Sequence, residues 1–167
     1  TLAPSSLDLT DFLYSGNIIY ALTSKSNLRL AASRTLARPN LRELAPFEQF
    51  DTKNGFFNIG NPNLKRTLIN NFDIRYEIYP ELGEMIAVSA FYKQFKDPIL
   101  RTFSPTATIP ELGYVNIDEA NVYGAEIELR KSLAFLGEKM RNFSISTNFA
   151  LIKSDYGIPQ AEVNASK

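Results

Sequence analysis

Two glutamates, Glu126 and Glu128, come nearest to a catalytic pair in this sequence. In an extended strand, residues i and i+2 point to the same side and lie about 7 Å apart, a separation that glycosidases use for two cooperating carboxyl groups. Arg130 continues the same side, and Arg75 lies on another predicted strand. A row of charges in which carboxylates meet guanidinium groups explains the glutamates without catalysis. We therefore predict that the protein is not an enzyme.

Composition excludes several other kinds of chemistry. The chain has no Cys and no His, so thiolate nucleophiles, disulfides and the commonest general base and metal ligand are absent. The sequence contains neither a calcium-binding loop nor a glycine-rich phosphate loop followed by a helix. Its 18 basic and 18 acidic residues cancel, which leaves no net positive field for nucleic acid. We predict no catalytic residues, no metal, no cofactor and no nucleic-acid partner.

The clearest structural pattern is a hairpin over residues 70–95. In its first half, apolar or aromatic residues alternate with charged ones, which indicates a strand that is wet on one face only. Residues 80–83, Pro-Glu-Leu-Gly, favour a tight turn. The return strand continues the apolar face and has a mixed opposite face. The hairpin therefore has one apolar face and one mixed face.

Similar alternation predicts further strands at residues 17–22, 28–35, 121–131 and 142–151, which makes about six in all. The charged residues of these strands fall on the mixed face. So many charges suit a wet lumen better than a dry core, in which each would need a partner. The predicted lumen-facing residues are Asp73, Arg75, Glu77, Lys93, Glu126, Glu128 and Arg130.

The connections between these strands alternate between short and long. Residues 36–67 and 96–117 are the long ones, and their Pro and Gly residues predict irregular loops with at most a short strand or helical turn. All tight turns then lie at one end of the sheet and all long loops at the other, as in outer-membrane barrels. Aromatic residues of the apolar face fall near the strand ends, as interfacial girdles require. We place Tyr20 and Phe143 toward the short turns, and Phe72, Tyr92, Tyr123 and Phe149 toward the long loops.

The predicted fold is therefore all-β: an antiparallel up-and-down meander of about six strands that forms part of a large transmembrane β-barrel. No apolar run reaches the roughly 18 residues of a membrane-spanning helix, but barrel strands do not need one. The alternating pattern also fits a soluble antiparallel sheet with one solvated face. On the residues alone, a soluble β-sandwich that serves as a ligand-binding or adhesion module stays open as the alternative.

Four segments, in order along the chain, resemble the barrel of TonB-dependent outer-membrane receptors, most closely the Bacteroidetes-type receptors. They are NLRLAASRTLARPNLRELAPF at residues 27–47, GNPNLKR at 60–66, AFYKQFKDPI at 90–99 and NVYGAEIELRKSL at 121–133. The last contains the Gly-x-Glu-x-Glu pattern of a family strand. The resemblance covers roughly residues 17–151.

This resemblance implies a bacterial outer-membrane location and energy-coupled uptake of a large nutrient such as an iron chelate, cobalamin or a glycan. It implies that residues 1–167 are a single internal segment of a barrel of about 22 strands, without a plug domain. The implied partners are outer-membrane lipid, the remaining barrel strands, the plug and, through the plug, TonB. Because an isolated slice has unpaired sheet edges, we also expect it to self-associate.

Overall fold

A computed structural model describes residues 9–104 and 111–157 of the chain. Over these residues the chain forms ten strands and one short helix: β1 (Ser15–Thr23), β2 (Ser26–Ala37), α1 (Leu41–Leu44), β3 (Glu48–Asp51), β4 (Phe56–Ile59), β5 (Thr67–Ile78), β6 (Met85–Lys96), β7 (Ile99–Ser104), β8 (Glu111–Asn116), β9 (Glu119–Ser132) and β10 (Ser144–Tyr156). Two short 3-10 turns, Ala134–Leu136 and Glu138–Met140, lie between β9 and β10. No helix within the described ranges is long and apolar enough to cross a membrane.

The main sheet has six strands in the order β1-β2-β5-β6-β9-β10, and every neighbouring pair is antiparallel. These are the six strands predicted from the alternating pattern; five are somewhat longer than predicted, and β6 has the predicted length but is shifted by one residue. The fold class, an antiparallel up-and-down meander, is confirmed. Its short connections lie at one end of the sheet, which we call the short-turn end, and the two long connections lie at the long-loop end.

The register keeps the apolar and the polar residues on opposite faces of the sheet. One row across all six strands consists of Ile18, Leu30, Ile74, Ala90, Ala125 and Leu151. We call this side the apolar face and the other side the polar face. A one-residue slip in any strand would exchange its two faces, so the apolar row fixes the register.

The apolar face is open. Ile18, Ile127 and Phe149 are 66%, 51% and 60% exposed. Among the described residues, the buried hydrophobic side chains are only Leu64, Ala87 and Ile117, and none of them belongs to the apolar face. A sandwich would bury this face against a second sheet. Within residues 9–104 and 111–157 no such layer covers it, so the architecture does not favour the soluble-sandwich alternative.

The prediction that the long connections are irregular, with at most a short strand or helical turn, was wrong in part: α1 is such a turn, but the connections also contain four strands. Strands from both connections form a second sheet in the order β3-β4-β8-β7, in which β4 and β8 are parallel and the other pairs antiparallel. These strands are four to six residues long, and β4 meets β8 through only two registered pairs. The pairing joins segments far apart in sequence, so neither segment shows it by its own pattern.

The first long connection contains the end of the family-like segment at residues 27–47 and the whole of the one at residues 60–66. Asn40 caps α1 reciprocally with Glu43: the Asn40 side chain accepts from the Glu43 backbone N–H, and the Glu43 carboxylate accepts from that of Asn40, each at 2.9 Å. Gly60 then passes close to this helix. A Cβ atom there would collide with the Ala45 carbonyl oxygen, so only glycine fits.

Candidate functional site

A group of charged side chains on the polar face is centred on Glu77. Its carboxylate accepts from Arg29 Nε at 2.8 Å and from Arg75 Nε at 2.7 Å. The hydroxyl of Tyr79 donates to the same carboxylate at 2.9 Å. Arg75 also donates from Nη2 to Glu128 at 2.8 Å. We call these five residues the charge network.

The charge network spans β2, β5, β6 and β9. It can cross β6 because that strand has a small residue, Ala87, at the crossing point. Glu77 on β5, Ala87 on β6 and Glu128 on β9 lie in register, so β6 separates the two carboxylates. Ala87 is 1% exposed, and its small side chain lets Arg75 reach across β6 to Glu128. The small side chain of Ala87 is therefore a condition for the contact between Arg75 on β5 and Glu128 on β9.

Burial strengthens the hydrogen bonds of the charge network, and these bonds make the Glu77 carboxylate a weak base. The Glu77 side chain is 6% exposed, whereas those of Arg75 and Arg29 are 27% and 39% exposed. Hydrogen bonds between ionised groups are roughly twice as strong as neutral ones. The bond to Glu77 also raises the pKa of the Tyr79 hydroxyl, which lies just beyond the end of β5. A carboxylate held by two guanidinium groups is a poor general base. The charge network is therefore suited to holding side chains and charges in fixed positions and not to proton transfer.

The seven residues predicted for the lumen share the polar face, as the strand registers show. The structure brings Arg75, Glu77 and Glu128 into direct contact, as the charge-row hypothesis predicts. Within the part of the chain that the structure describes, the other four form no ion pair: Asp73, Lys93, Glu126 and Arg130. In the same part, no group of three or more acidic residues is arranged to hold a metal ion.

Two members of the network, Arg29 and Tyr79, were missing from the predicted set. Arg29 follows the same alternation on β2 and is the registered partner of Arg75, so its pattern carried a usable signal. Tyr79 lies beyond the last residue of β5 and belongs to the turn. Sequence alternation assigns no face to a turn residue, so nothing in the pattern indicated its contact with Glu77.

Gly124, in the Gly-x-Glu-x-Glu segment, makes room for an aromatic ring on the polar face. It is the registered partner of Phe91 on β6. A Cβ atom at Gly124 would lie 2.5 Å from the Leu151 carbonyl oxygen and 2.8 Å from the Phe91 ring. The glycine therefore permits close contact with β10 and with the ring together.

We expect Gly124→Ala to lower the free energy of unfolding by about 1–3 kcal/mol, because the added methyl group overpacks a site bounded partly by backbone. Gly16→Ala is the matched control: a Cβ at Gly16, in β1 of the same sheet, meets nothing within 4 Å. That change should stay within about 0.5 kcal/mol. Urea unfolding of the detergent-folded protein measures both. Equal stability of the two variants would contradict the close contact at Gly124.

The apolar face ends in an aromatic row and then a polar row at the long-loop end. Phe72, Tyr92 and Tyr123 are registered neighbours on β5, β6 and β9. The next row on this face contains Arg34, Asn70, Gln94, Asn121 and Asp155. The Tyr92 hydroxyl donates to Asn121 at 2.6 Å and that of Tyr123 to Asp155 at 3.0 Å. Rings with an apolar body and a hydrogen-bonded tip are typical of a membrane interface.

The structure corrects one predicted member of this aromatic row. Phe149 lies opposite Ile127 and belongs to the same row as Tyr20, two rows closer to the short turns than Tyr123. The apolar rows run from Phe72 to Ile78 on β5, which is about 20 Å of strand at 3.4 Å per residue. Because barrel strands tilt by about 35–45°, this length spans about 15 Å along the membrane normal, which fits within the apolar band of about 25 Å in outer-membrane barrels.

Comparison with protein families gives one match over nearly the whole chain. The family described as TonB dependent receptor-like, beta-barrel, matches residues 2–166. Among curated proteins, the iron-regulated outer membrane virulence protein of Vibrio cholerae is 37% identical over 101 residues. That alignment covers 54% of this chain and 15% of the Vibrio protein.

Solved structures show the same fold. The siderophore receptor PirA of Pseudomonas aeruginosa matches with a TM-score of 0.73 and 20% identity, over 87% of this chain and 28% of the receptor. A variant of the ferric enterobactin receptor PfeA from the same organism, bound to enterobactin, matches with a TM-score of 0.60 and 25% identity, over 74% and 20%. This chain thus spans less than a third of either receptor. These relatives do not support the predicted Bacteroidetes-type subgroup.

Proposed function

Because this chain belongs to the family of TonB-dependent receptor β-barrels of the outer membrane, we propose that it forms part of the wall of an energy-coupled nutrient importer. One observation carries the proposal: the register separates an exposed apolar face, which runs across all six strands, from an opposite face whose charged residues lie on β2, β5, β6 and β9. Such a sheet is stable where one face meets lipid and the other meets water. We propose that residues 1–167 form a single segment of this wall, with the plug contributed from outside it.

The polar face lines the aqueous conduit in this proposal. Seven predicted residues and Arg29 lie on it, and the charge network gives it a fixed pattern of positive and negative groups. The network also ties β2, β5 and β9 together from the inside. A wall that must stay rigid while a large nutrient passes gains from side-chain links that run across several strands, in addition to the backbone ladder.

The apolar face contacts the hydrocarbon of the outer membrane. Its rows hold aliphatic and aromatic side chains, and the polar row with Arg34 and Asp155 marks the level of the headgroups. The second sheet, at the long-loop end, then lies outside the cell at the mouth of the conduit, since long loops of such barrels are extracellular.

The transported nutrient is an iron chelate in this proposal. The relatives support it: they are an iron-regulated protein, a siderophore receptor and a ferric enterobactin receptor. Cobalamin and glycans, which the resemblance also allowed, find no support among these relatives. The partners are the remaining barrel strands, the plug and TonB, which acts through the plug.

The two edges of the main sheet determine how the segment is completed. β1 and β10 each pair on one side only within the described residues. In the whole barrel, further strands pair with these edges and leave no backbone group unsatisfied in lipid. The isolated segment has no such strands, so self-association through its edges or its apolar face is the expected alternative.

Uptake of radioactive iron tests the function directly. The parent receptor is produced in a strain that lacks its own siderophore receptors, and iron is offered as ferric siderophores of several chemical classes. We expect uptake of at least one class, and its loss in a matched strain without TonB. Uptake that is equal with and without TonB, or no iron uptake from any of the classes, would overturn the proposal.

A further inference from the structure

Asn116 lies where the two long connections meet. The first connection covers residues 38–66, and the described part of the second covers residues 97–104 and 111–118; together we call them the cap. Asn116 is the last residue of β8, at the junction between the cap and the main sheet. Its amide group makes three hydrogen bonds to backbone groups on both connections.

The geometry of Asn116 resembles that of a paired strand residue. Its Oδ1 accepts from the backbone N–H of Lys65 at 2.7 Å, and its Nδ2 donates to the carbonyl oxygen of Lys65 at 3.0 Å. The same Nδ2 donates to the carbonyl oxygen of Asp97 at 2.7 Å. The acceptor and both donor hydrogens of the amide are therefore used. One side chain satisfies backbone groups of two segments that are far apart in sequence.

Asp97, the second anchor, has an unusual backbone conformation. Its φ is +54°, in the left-handed region that non-glycine residues seldom adopt. Its carbonyl oxygen also accepts from the Thr67 hydroxyl at 3.0 Å, and its N–H donates to the Asp118 carbonyl at 3.1 Å. Thr67 and Ile117 beside it are buried. The junction thus holds β6, β5 and the cap in one defined arrangement.

Beyond Asn116, two further contacts join the connections. β4 and β8 are joined through the pairs Phe57 with Glu111 and Asn58 with Leu112. Asn61 adds one link, because its Nδ2 donates to the Tyr114 carbonyl at 3.0 Å. A parallel contact of two residue pairs is weak without support nearby. Support comes from Asn116, whose bonds to Lys65 fix the end of the first connection against β8.

We propose that Asn116 is a positioning residue that makes the two long connections move as one cap. The cap then opens locally as a unit, and one connection does not open without the other. Its location at the mouth of the conduit rests on the proposed function, whereas the coupling between the connections does not. Opening of one connection is coupled to opening of the other through Asn116 and the β4–β8 contact.

Hydrogen exchange of the parent receptor, measured by mass spectrometry, tests the coupling. In Asn116→Ala, we expect exchange to accelerate about tenfold or more in β4 as well as in β8, because both lose the same support. Asn63→Ala is the control, since Asn63 is exposed and its side chain makes no hydrogen bond within the described residues. Its exchange should match that of the unmodified receptor. Acceleration in β8 with an unchanged β4 would overturn the proposal.

A second variant distinguishes the positioning role of the Asn116 amide from a general loss of stability. Asn116→Asp keeps the size of the side chain but turns a carboxylate toward the carbonyl oxygens of Lys65 and Asp97. The backbone amide hydrogens of the cap should therefore exchange faster in this variant than in Asn116→Ala. Protonation restores one donor hydrogen. The ratio of its exchange rate to that of the unmodified receptor at the same pH should therefore fall as the pH is lowered. A ratio independent of pH would contradict the role of the amide donors.

The unmodified receptor supplies a test that needs no variant to fold. If the connections open together, the slowest amides of β4 and β8 have equal protection; a difference of tenfold or more would overturn the coupling. None of these measurements uses uptake. A receptor that imports nothing would refute the proposed function and leave the result for the cap unaffected.

Discussion

Replacement of Ile127 by Arg is expected to lower the free energy of unfolding in a bilayer by about 2–4 kcal/mol. Ile127 is 51% exposed and lies on the apolar face of β9, between Val88 on β6 and Phe149 on β10. Its row is two rows away from the aromatic row, well inside the hydrocarbon. A guanidinium group at that depth must lose its hydration or distort the membrane.

Ala150→Arg is the matched control for this change. Ala150 lies opposite Glu126, one residue along β9 from Ile127, at nearly the same depth but on the polar face. A lumenal guanidinium keeps its water and gains a carboxylate neighbour, so the free energy of unfolding should change little. Unfolding in urea from lipid vesicles measures both variants. Equal losses for the two would show that the faces do not differ in their contact with lipid.

Glu77→Gln should lower the free energy of unfolding by about 3 kcal/mol, the lower end of the range for breaking a buried ion pair. The glutamine keeps the shape of Glu77 but leaves Arg29 and Arg75 without the carboxylate that they share. The lower end applies because the two arginines retain 39% and 27% exposure and are partly hydrated.

Glu126→Gln is the control for the charge network. Glu126 lies on the same face, two residues from Glu128, and forms no ion pair within the described residues. Its replacement should change stability by no more than about 0.5 kcal/mol. Both variants are compared by urea unfolding under identical conditions. If Glu77→Gln were no more destabilising than Glu126→Gln, the bonds around Glu77 would not stabilise the wall.

The main sheet could be predicted because each of its strands carries the full pattern. Over residues 72–78 of β5, every second residue is apolar or aromatic, and β6 repeats this after a turn of recognisable composition. The pairing order follows the chain order apart from the two long connections. Local pattern and global topology therefore agree, and the sequence identified all six strands of the sheet.

The second sheet and the composition of the charge network depend on contacts that no local pattern contains. β4 is only four residues long, and its two pairs with β8 join residues more than fifty positions apart. The bond between Arg75 and Glu128 likewise requires knowing that β6 lies between β5 and β9, with Ala87 beneath it. The face of each charged residue was predictable from alternation. To predict the partner of a charged residue, one must also know the register of three neighbouring strands.

Cysteine accessibility along β9 tests most directly whether one face meets lipid and the other water. The chain has no Cys of its own, so each introduced Cys within it is unique. Single cysteines are placed at five successive positions of the parent receptor in its membrane and treated with a charged, water-soluble maleimide: Ala125, Glu126, Ile127, Glu128 and Leu129. We predict labelling at Glu126 and Glu128, protection at the other three, and labelling at all five after denaturation. Uniform labelling before denaturation would contradict the two-faced barrel wall.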